Sequence, residues 1–251
     1  MVQYDFSGQV AVISGAASGM GLLFCRCYVE MGGSVVMADI SKEALDAAVC
    51  EINTIRASSA IGVVCDVRDY EQICRVRDEA VRVFGRIDLL IPFAGGAETR
   101  MLKVTPGLEF PDIPIDVYDW SLDVNLRGQL YFDHAVLKQM REQKSGTILH
   151  IGSITGEEGC GSNVGYATSK SAAMNGLTKS IAKYGAKYGI RCNCVSPGPV
   201  LTRAAMANMK TLMGRAAEPQ EIVDMLLYLA SPKGAFITGT NILMDGGRNL
   251  L

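Results

Sequence analysis

Gln9-Val-Ala-Val-Ile-Ser14 runs directly into Gly15-Ala-Ala-Ser-Gly-Met-Gly21 and then Leu22-Leu-Phe24, and this stretch decides the fold. The β-branched Val10, Val12 and Ile13 suit a short buried strand. Gly15, Gly19 and Gly21 permit a tight turn and a close approach of backbone to a neighbour. Helix-period apolar spacing begins at Leu22, so the stretch reads as strand, glycine turn and helix, the opening of a βαβ unit.

The same alternation continues along the chain. Short apolar runs recur at 34–39, 60–66, 88–93, 146–152, 190–196 and 240–245, and helix-period segments lie between them, among them 69–84, 116–142, 164–188 and 218–230. Seven strands joined by helical crossovers predict a parallel sheet covered on both faces, a doubly wound Rossmann-like α/β architecture. With no repeat and no long Pro/Gly linker, residues 1–251 are expected to form one domain. The irregular segment 97–115, with Pro106, Pro111 and Pro114, is long enough to suggest a functional loop at the border of a pocket.

Of the 251 residues, 49% are hydrophobic, and the formal charge is −2 with both signs interspersed. That distribution argues against a nucleic-acid partner and toward a small molecule. The N-terminus lacks the features of a secretory signal, and no apolar run reaches the roughly 18 residues of a membrane span. A soluble, cytoplasmic protein is expected. The eight cysteines, including the C-x-C pairs Cys25/Cys27 and Cys192/Cys194, read as reduced and mostly buried thiols. Of these, only Cys160 is a candidate for contact with a substrate. No metal site is expected, and His134 and His150 read as structural because no partner spacing supports a triad or ligand set.

The glycine turn at the first strand–helix junction is suited to a pyrophosphate, favoured by the helix N-terminus. Asp39, ending the second apolar run, is placed to accept from adenosine ribose hydroxyls and to repel a 2′-phosphate, which favours NAD over NADP. The alternative is that Asp39 caps the helix beginning near Ser41. Lys42 is the one nearby cation.

Ser14-Gly15-Ala-Ala-Ser18-Gly19-Met20-Gly21 resembles the T-G-x-x-x-G-x-G cofactor turn of the short-chain dehydrogenase/reductase family. The resemblance extends through Cys65-Asp66-Val67, Val124-Asn125-Leu126-Arg127-Gly128, Ser196-Pro197-Gly198, Thr238-Gly239 and Asp245-Gly246-Gly247. It departs at Pro92-Phe93-Ala94-Gly95, where the family has N-N-A-G. Altered packing is expected there, with Ala94 and Gly95 still offering close backbone approach. The resemblance implies cofactor contacts from Gly15, Ser18, Gly19, Met20, Gly21, Asp39, Asp66 and Val67, and from Pro197, Gly198, Val200 and Thr202 along the nicotinamide. It also implies a homotetramer with 116–142 and 164–188 at an interface.

Tyr166 and Lys170 lie four residues apart and share a helix face. A neighbouring cation and an oxidised nicotinamide lower the phenol's pKa toward a usable proton carrier. Ser153 precedes Tyr166 by 13 residues, an arrangement similar to the family's, and its hydroxyl can stabilise a developing alkoxide. The resemblance implies that Asn125 completes the catalytic set by holding a water that connects the lysine to solvent, and that Lys170 also binds the nicotinamide ribose. Together these residues imply an NAD-dependent oxidoreductase that interconverts a secondary alcohol and a ketone.

The alternatives are a non-catalytic nucleotide-binding regulator and an enoyl reductase. In the enoyl reductase the tyrosine and lysine are more widely separated. Sugar-nucleotide epimerases typically carry a C-terminal substrate domain for which the chain has no room. For substrate, Glu98, Arg100, Glu157, Glu158 and Asn163 lean toward a polyol, sugar or sugar acid. Met101, Leu102, Phe110 and Trp120 would suit a hydroxysteroid or aromatic ketone.

Overall fold

The computed structural model describes residues 4–101 and 108–251. Its first half alternates β1 (Val10–Ser14), α1 (Gly19–Glu30), β2 (Ser34–Asp39), α2 (Lys42–Ile55), β3 (Ala60–Val64), α3 (Tyr70–Phe84) and β4 (Leu89–Pro92). Then come α4 (Glu98–Met101), α5 (Ile115–Leu122), α6 (Gly128–Gln143), β5 (Gly146–Ile151), α7 (Thr155–Glu158), α8 (Val164–Ala172), α9 (Thr178–Gly185), β6 (Ile190–Pro197), α10 (Pro219–Ala230) and β7 (Asn241–Met244). All seven strands pair in parallel in the order β3-β2-β1-β4-β5-β6-β7. This is the doubly wound Rossmann-like sheet that the sequence predicts.

Burial on both faces explains why the strands read as apolar runs rather than alternations. Ala11 and Ile13 of β1 join one apolar layer with Phe24, Leu45, Ile52 and Leu226. Val10 and Val12 point the other way, to Ile73, Val76, Phe132, Val136 and Met140. Each fully buried side chain of this size contributes about 1.5–3 kcal/mol.

Local chemistry sets the helix ends. Asp69 caps α3 by accepting from the N–H groups of Glu71 and Gln72, and Gly85, at φ 77°, ends it in the left-handed region. At α10, Glu218 and Glu221 form a reciprocal capping box around Pro219 in the first turn.

The predicted helices 116–142 and 164–188 are each interrupted by a π turn, at Asp123–Arg127 and Ala173–Leu177. The segment 97–115 is less irregular than its prolines suggest. It opens with α4 and contains a 3₁₀ turn at Phe110–Asp112. Leu102 and Pro106, and the side chains of Arg100 and Met101, fall outside the described residues.

Candidate functional site

The strand order reverses between β1 and β4, and a cleft of about 540 Å³ opens at their carboxyl ends. Parallel α/β sheets bind ligands at such switch points. Each glycine of the first turn has its own reason. Gly15 has φ +64°, and a Cβ there would lie 2.8 Å from the Ala94 nitrogen. Gly19 has φ +55° in open space, while a Cβ on Gly21 would collide with the Gly15 carbonyl oxygen. Ser18 is exposed at the N-cap of α1 and its hydroxyl makes no capping bond, so hydroxyl and helix N-terminus both face the opening.

Asp39 ends β2 with Oδ2 accepting from Ala17 N–H and Oδ1 from Ser41 N–H, both at 3.1 Å. Asp39 thus holds the turn into α2 through Ser41 N–H without capping that helix, which has no side-chain cap. Asp66 pairs with Arg68 at 2.5 Å, which together with the Arg68 N–H holds its carboxyl below the usual range. Val67, Ala94, Gly95, Met20 and Thr202 also line the cleft. Ile40, Arg68 and Phe93, which the sequence did not single out as ligand contacts, also line the cleft, as does Trp120, a candidate for an apolar substrate pocket. Ile40, directly after Asp39, is 65% exposed in the wall of the cleft.

Pro197, Gly198 and Val200 lie apart from the cleft lining, where β6 meets β7. Gly198 N–H donates to Met244 O at 2.9 Å, and a Cβ there would lie 2.6 Å from Asp245 Cα. Val200 bridges to Ala217.

At the missing asparagine pair, Pro92 is in register with Ser14. The chain replaces the amides with Phe93, whose ring lies 6.3 Å from that of Phe24, and with a bond from Ala94 N–H to Ser14 Oγ at 3.2 Å.

Ser153 follows β5 and is 8% exposed. Its loop is latched to β6 by bonds from Gly152 N–H to Val195 O and from Ile154 N–H to Pro197 O. Gly156 fits the same loop against α8, since a Cβ there would lie 2.8 Å from Ser171 N.

Lys170, 3% exposed, donates to Ile151 O at 2.7 Å, and its Nζ lies 5.6 Å from the centroid of the Tyr166 ring. Burial lowers its pKa from 10.5 to about 8. The Tyr166 ring is half-buried beside it.

Asn125 lies fully buried inside the first π turn. Its Oδ1 accepts from Gly96 N–H, and its Nδ2 donates to Gly96 O and Ser121 O, all at 2.9 Å. The side chain thus clasps the segment after β4. A Cβ on Gly95 would lie 3.6 Å from Lys170 Nζ, so Gly95, Asn125 and Lys170 meet at one point.

Other candidates are held by internal partners. Glu158 pairs with Arg248 at 2.9 Å and Glu157 accepts from Asn241 at 3.4 Å. His134 bonds Tyr70 at the surface, and His150 is buried against Asp133 and Thr178. All eight cysteines are free thiols, five of them buried. Among the described residues no helix is long and apolar enough to cross a membrane.

A doubly wound sheet with a glycine-lined cleft at its switch point defines a nucleotide-binding enzyme of the Rossmann type, and comparison with known proteins makes the class narrower. A family profile described as enoyl-(acyl carrier protein) reductase matches residues 15–249. The 7alpha-hydroxysteroid dehydrogenase of Bacteroides fragilis is 31% identical, with 96% of this chain and 95% of that protein covered. The D-threitol dehydrogenase of Mycolicibacterium smegmatis is 31% identical, with 98% and 95% covered. A crystal structure of NAD+-bound xylitol dehydrogenase superposes with a TM-score of 0.86 at 28% identity, covering 96% of this chain and 99% of that one. The chain belongs to the short-chain dehydrogenase/reductase family. It is an oxidoreductase of a family that uses NAD(P) to act on small molecules.

Proposed function

We propose that the protein is an NAD-dependent dehydrogenase that interconverts a secondary alcohol and a ketone, with Tyr166 as acid/base. The observation that carries this reading is the buried Lys170, fixed on the Ile151 carbonyl with its ammonium 5.6 Å from the Tyr166 ring centroid. A buried cation so placed favours the phenolate.

The cleft fits a dinucleotide. Gly15, Ser18, Gly19, Met20 and Gly21 offer a close backbone and a helix N-terminus to a pyrophosphate. Asp39 presents a carboxylate that would accept from ribose hydroxyls and repel a 2′-phosphate. Asp66 and Val67 would hold the adenine end. Ala94, Gly95, Pro197, Gly198, Val200 and Thr202, with Tyr166 and Lys170, would hold the nicotinamide end. When bound, NAD supplies the hydride acceptor.

The residues supply orientation and the proton path. Ser153 donates to the substrate oxygen and Tyr166 removes the hydroxyl proton, returning it in the reverse direction. Lys170 holds the phenolate charge. Asn125 fixes Gly96, and with it the wall beside Lys170, and we retain it in the catalytic set in that capacity.

The sequence leaned toward a polyol, and two observations lead us to weigh the apolar alternative more heavily. Of the polar candidates for a polyol, Glu98, Glu157, Glu158 and Asn163 are bonded within the chain, and the side chain of Arg100 lies outside the described residues. Leu201, Leu212 and Met213, after the nicotinamide-side segment, are instead exposed apolar side chains. This favours an apolar, ring-bearing secondary alcohol of the hydroxysteroid type, a class named in the Bacteroides fragilis relative. The threitol and xylitol dehydrogenases support the polyol as second reading. A carbon–carbon double bond is disfavoured by the four-residue spacing of Tyr166 and Lys170.

The test is cofactor reduction against separate pools of hydroxysteroids, cyclic alcohols and polyols, with NAD and NADP in parallel and Tyr166→Phe as control. NAD turnover lost in Tyr166→Phe supports the reading. Tight NADH binding with every pool and the matching ketones silent would favour a non-catalytic regulator. Light scattering tests the homotetramer that belongs to the same proposal.

A further inference from the structure

Two side chains exchange partners between the short turn α4 and the helix that carries Tyr166. Asn163 stands at the N-cap of α8 with φ −140° and ψ 59°, yet its side chain makes no cap to its own helix. Its Oδ1 instead accepts from Thr99 N–H at 3.3 Å and Thr99 Oγ1 at 2.7 Å. In return, Glu98 Oε1 accepts from the backbone N–H of Tyr166 at 2.8 Å. First-turn N–H groups have no partner within their helix, and a cap residue usually supplies one. Here the acceptor comes from 68 residues away, and the amide it satisfies belongs to the residue bearing the phenol.

Glu98 is 1% exposed, and its Oε2 is buried with no partner among the described residues. Burying a carboxyl is unfavourable unless its bonds compensate, and the bond from the Tyr166 amide offsets part of that cost at Oε1. The surroundings make room for it. A Cβ on Gly165 would lie 2.5 Å from Glu98 Oε1, and 3.2 Å from Ser121 Cβ and Tyr118 Cδ1. The segment bearing Glu98 is itself fixed two residues earlier by the clasp of Asn125 on Gly96. A continuous set of bonds therefore runs from Asn125 through Gly96 and Glu98 to the backbone of Tyr166.

We infer that Glu98 is a positioning residue for Tyr166. By holding the third amide of α8 it sets the height and rotation of the first turn, and so where the phenol meets the substrate oxygen. The inference rests on the reading of Tyr166 as acid/base. A displacement of about 1 Å at a reacting group lowers turnover by about 100-fold, so one bond to this amide is large enough to matter.

The experiment compares Glu98→Ala, Glu98→Gln and Gly165→Ala with wild type and Tyr166→Phe. It uses the most active alcohol from the pools, and it measures kcat, KM, NADH affinity by fluorescence and thermal midpoint. Glu98→Ala removes the acceptor. Gly165→Ala keeps the carboxyl but pushes it off the amide. Both should lose about tenfold or more in kcat, with alcohol KM and NADH affinity within about threefold of wild type. Glu98→Gln keeps an oxygen for the Tyr166 N–H and should retain at least about a third of wild-type kcat.

A folded Glu98→Ala with kcat within about twofold of wild type overturns the inference. So does Glu98→Gln falling as far as Glu98→Ala, or a loss that appears in NADH affinity rather than kcat. If Glu98→Ala does not fold, Gly165→Ala decides, and unchanged kcat there overturns the inference. Turnover retained by Tyr166→Phe would defeat the acid/base reading itself. Turnover lost in Tyr166→Phe but kept in both Glu98→Ala and Gly165→Ala defeats only the role of Glu98.

Discussion

The Lys170 ammonium donates to the Ile151 carbonyl at 2.7 Å and lies 5.6 Å from the centroid of the Tyr166 ring. One buried cation thus ties the strand leading to Ser153 to the helix face bearing the phenol. Removing it should separate activity from stability. Burial lowers its pKa from 10.5 in the ordinary state to about 8. Between those values the unfolded chain binds a proton that the folded chain does not, so stability rises with pH across that window. Below pH 8 the folded protein carries the whole penalty, about 3 kcal/mol. Lys170→Met should therefore abolish turnover yet be more stable than wild type at pH 7 by about 1–3 kcal/mol. Urea unfolding at pH 7 and pH 10 should show that advantage shrinking at the higher pH.

Asp39 should govern cofactor choice. Two like charges about 4 Å apart near a protein surface repel by about 4 kcal/mol. Asp39→Ser should raise the kcat/KM ratio of NADP to NAD by at least about tenfold, corresponding to only about 1.4 kcal/mol. Wild type preferring NADP would remove the basis for the assignment.

Gly21→Ala places a methyl against the Gly15 carbonyl oxygen. The turn must reshape to admit it, so NADH affinity should fall by at least about tenfold, or about 1.4 kcal/mol. Fluorescence titration measures the loss, and circular dichroism checks that the sheet persists.

Asp133, His150 and Thr178 join α6, β5 and α9 through buried bonds of 2.9 Å and 2.8 Å. Thr178 Oγ1 donates its proton to Ala173 O at 2.6 Å, so it accepts from His150 Nδ1. One proton then lies between His150 Nε2 and Asp133. The carboxamide introduced by Asp133→Asn could donate to Nε2 in its place, whereas a leucine side chain could not. Asp133→Leu should cost about 3–5 kcal/mol in chemical unfolding, and Asp133→Asn less than about half of that.

The placement of the glycine turn and Asp39 at the end of their strands and of Tyr166 beside Lys170 on one helix was legible because each depends on local spacing that the fold preserves. The π turns were not. An extra residue within Asp123–Arg127 or Ala173–Leu177 shifts the helical phase without leaving a composition signal. The bonds of Asn125 were not legible, because its partner Gly96 lies 29 residues away. In the sequence Glu98 stood only among the polar substrate candidates. Only the packing of α4 against the start of α8 shows it buried and bonded to Tyr166. Pro92-Phe93 departed from the family pattern, and the packing of Phe93 near Phe24 could be read only in three dimensions.

The latch of the Ser153 loop onto β6 bears on how the protein is made. During synthesis β2 and β4, the neighbours of β1, and β3, the neighbour of β2, have all emerged by residue 92, and the glycine turn and Asp39 then have their sheet neighbours at hand. The Ser153 loop gains its bond from Ile154 to Pro197 only after about a hundred further residues have emerged. The strands around the glycine turn are thus available early, whereas one face of β1 waits for α6 and the Ser153 loop waits for β6.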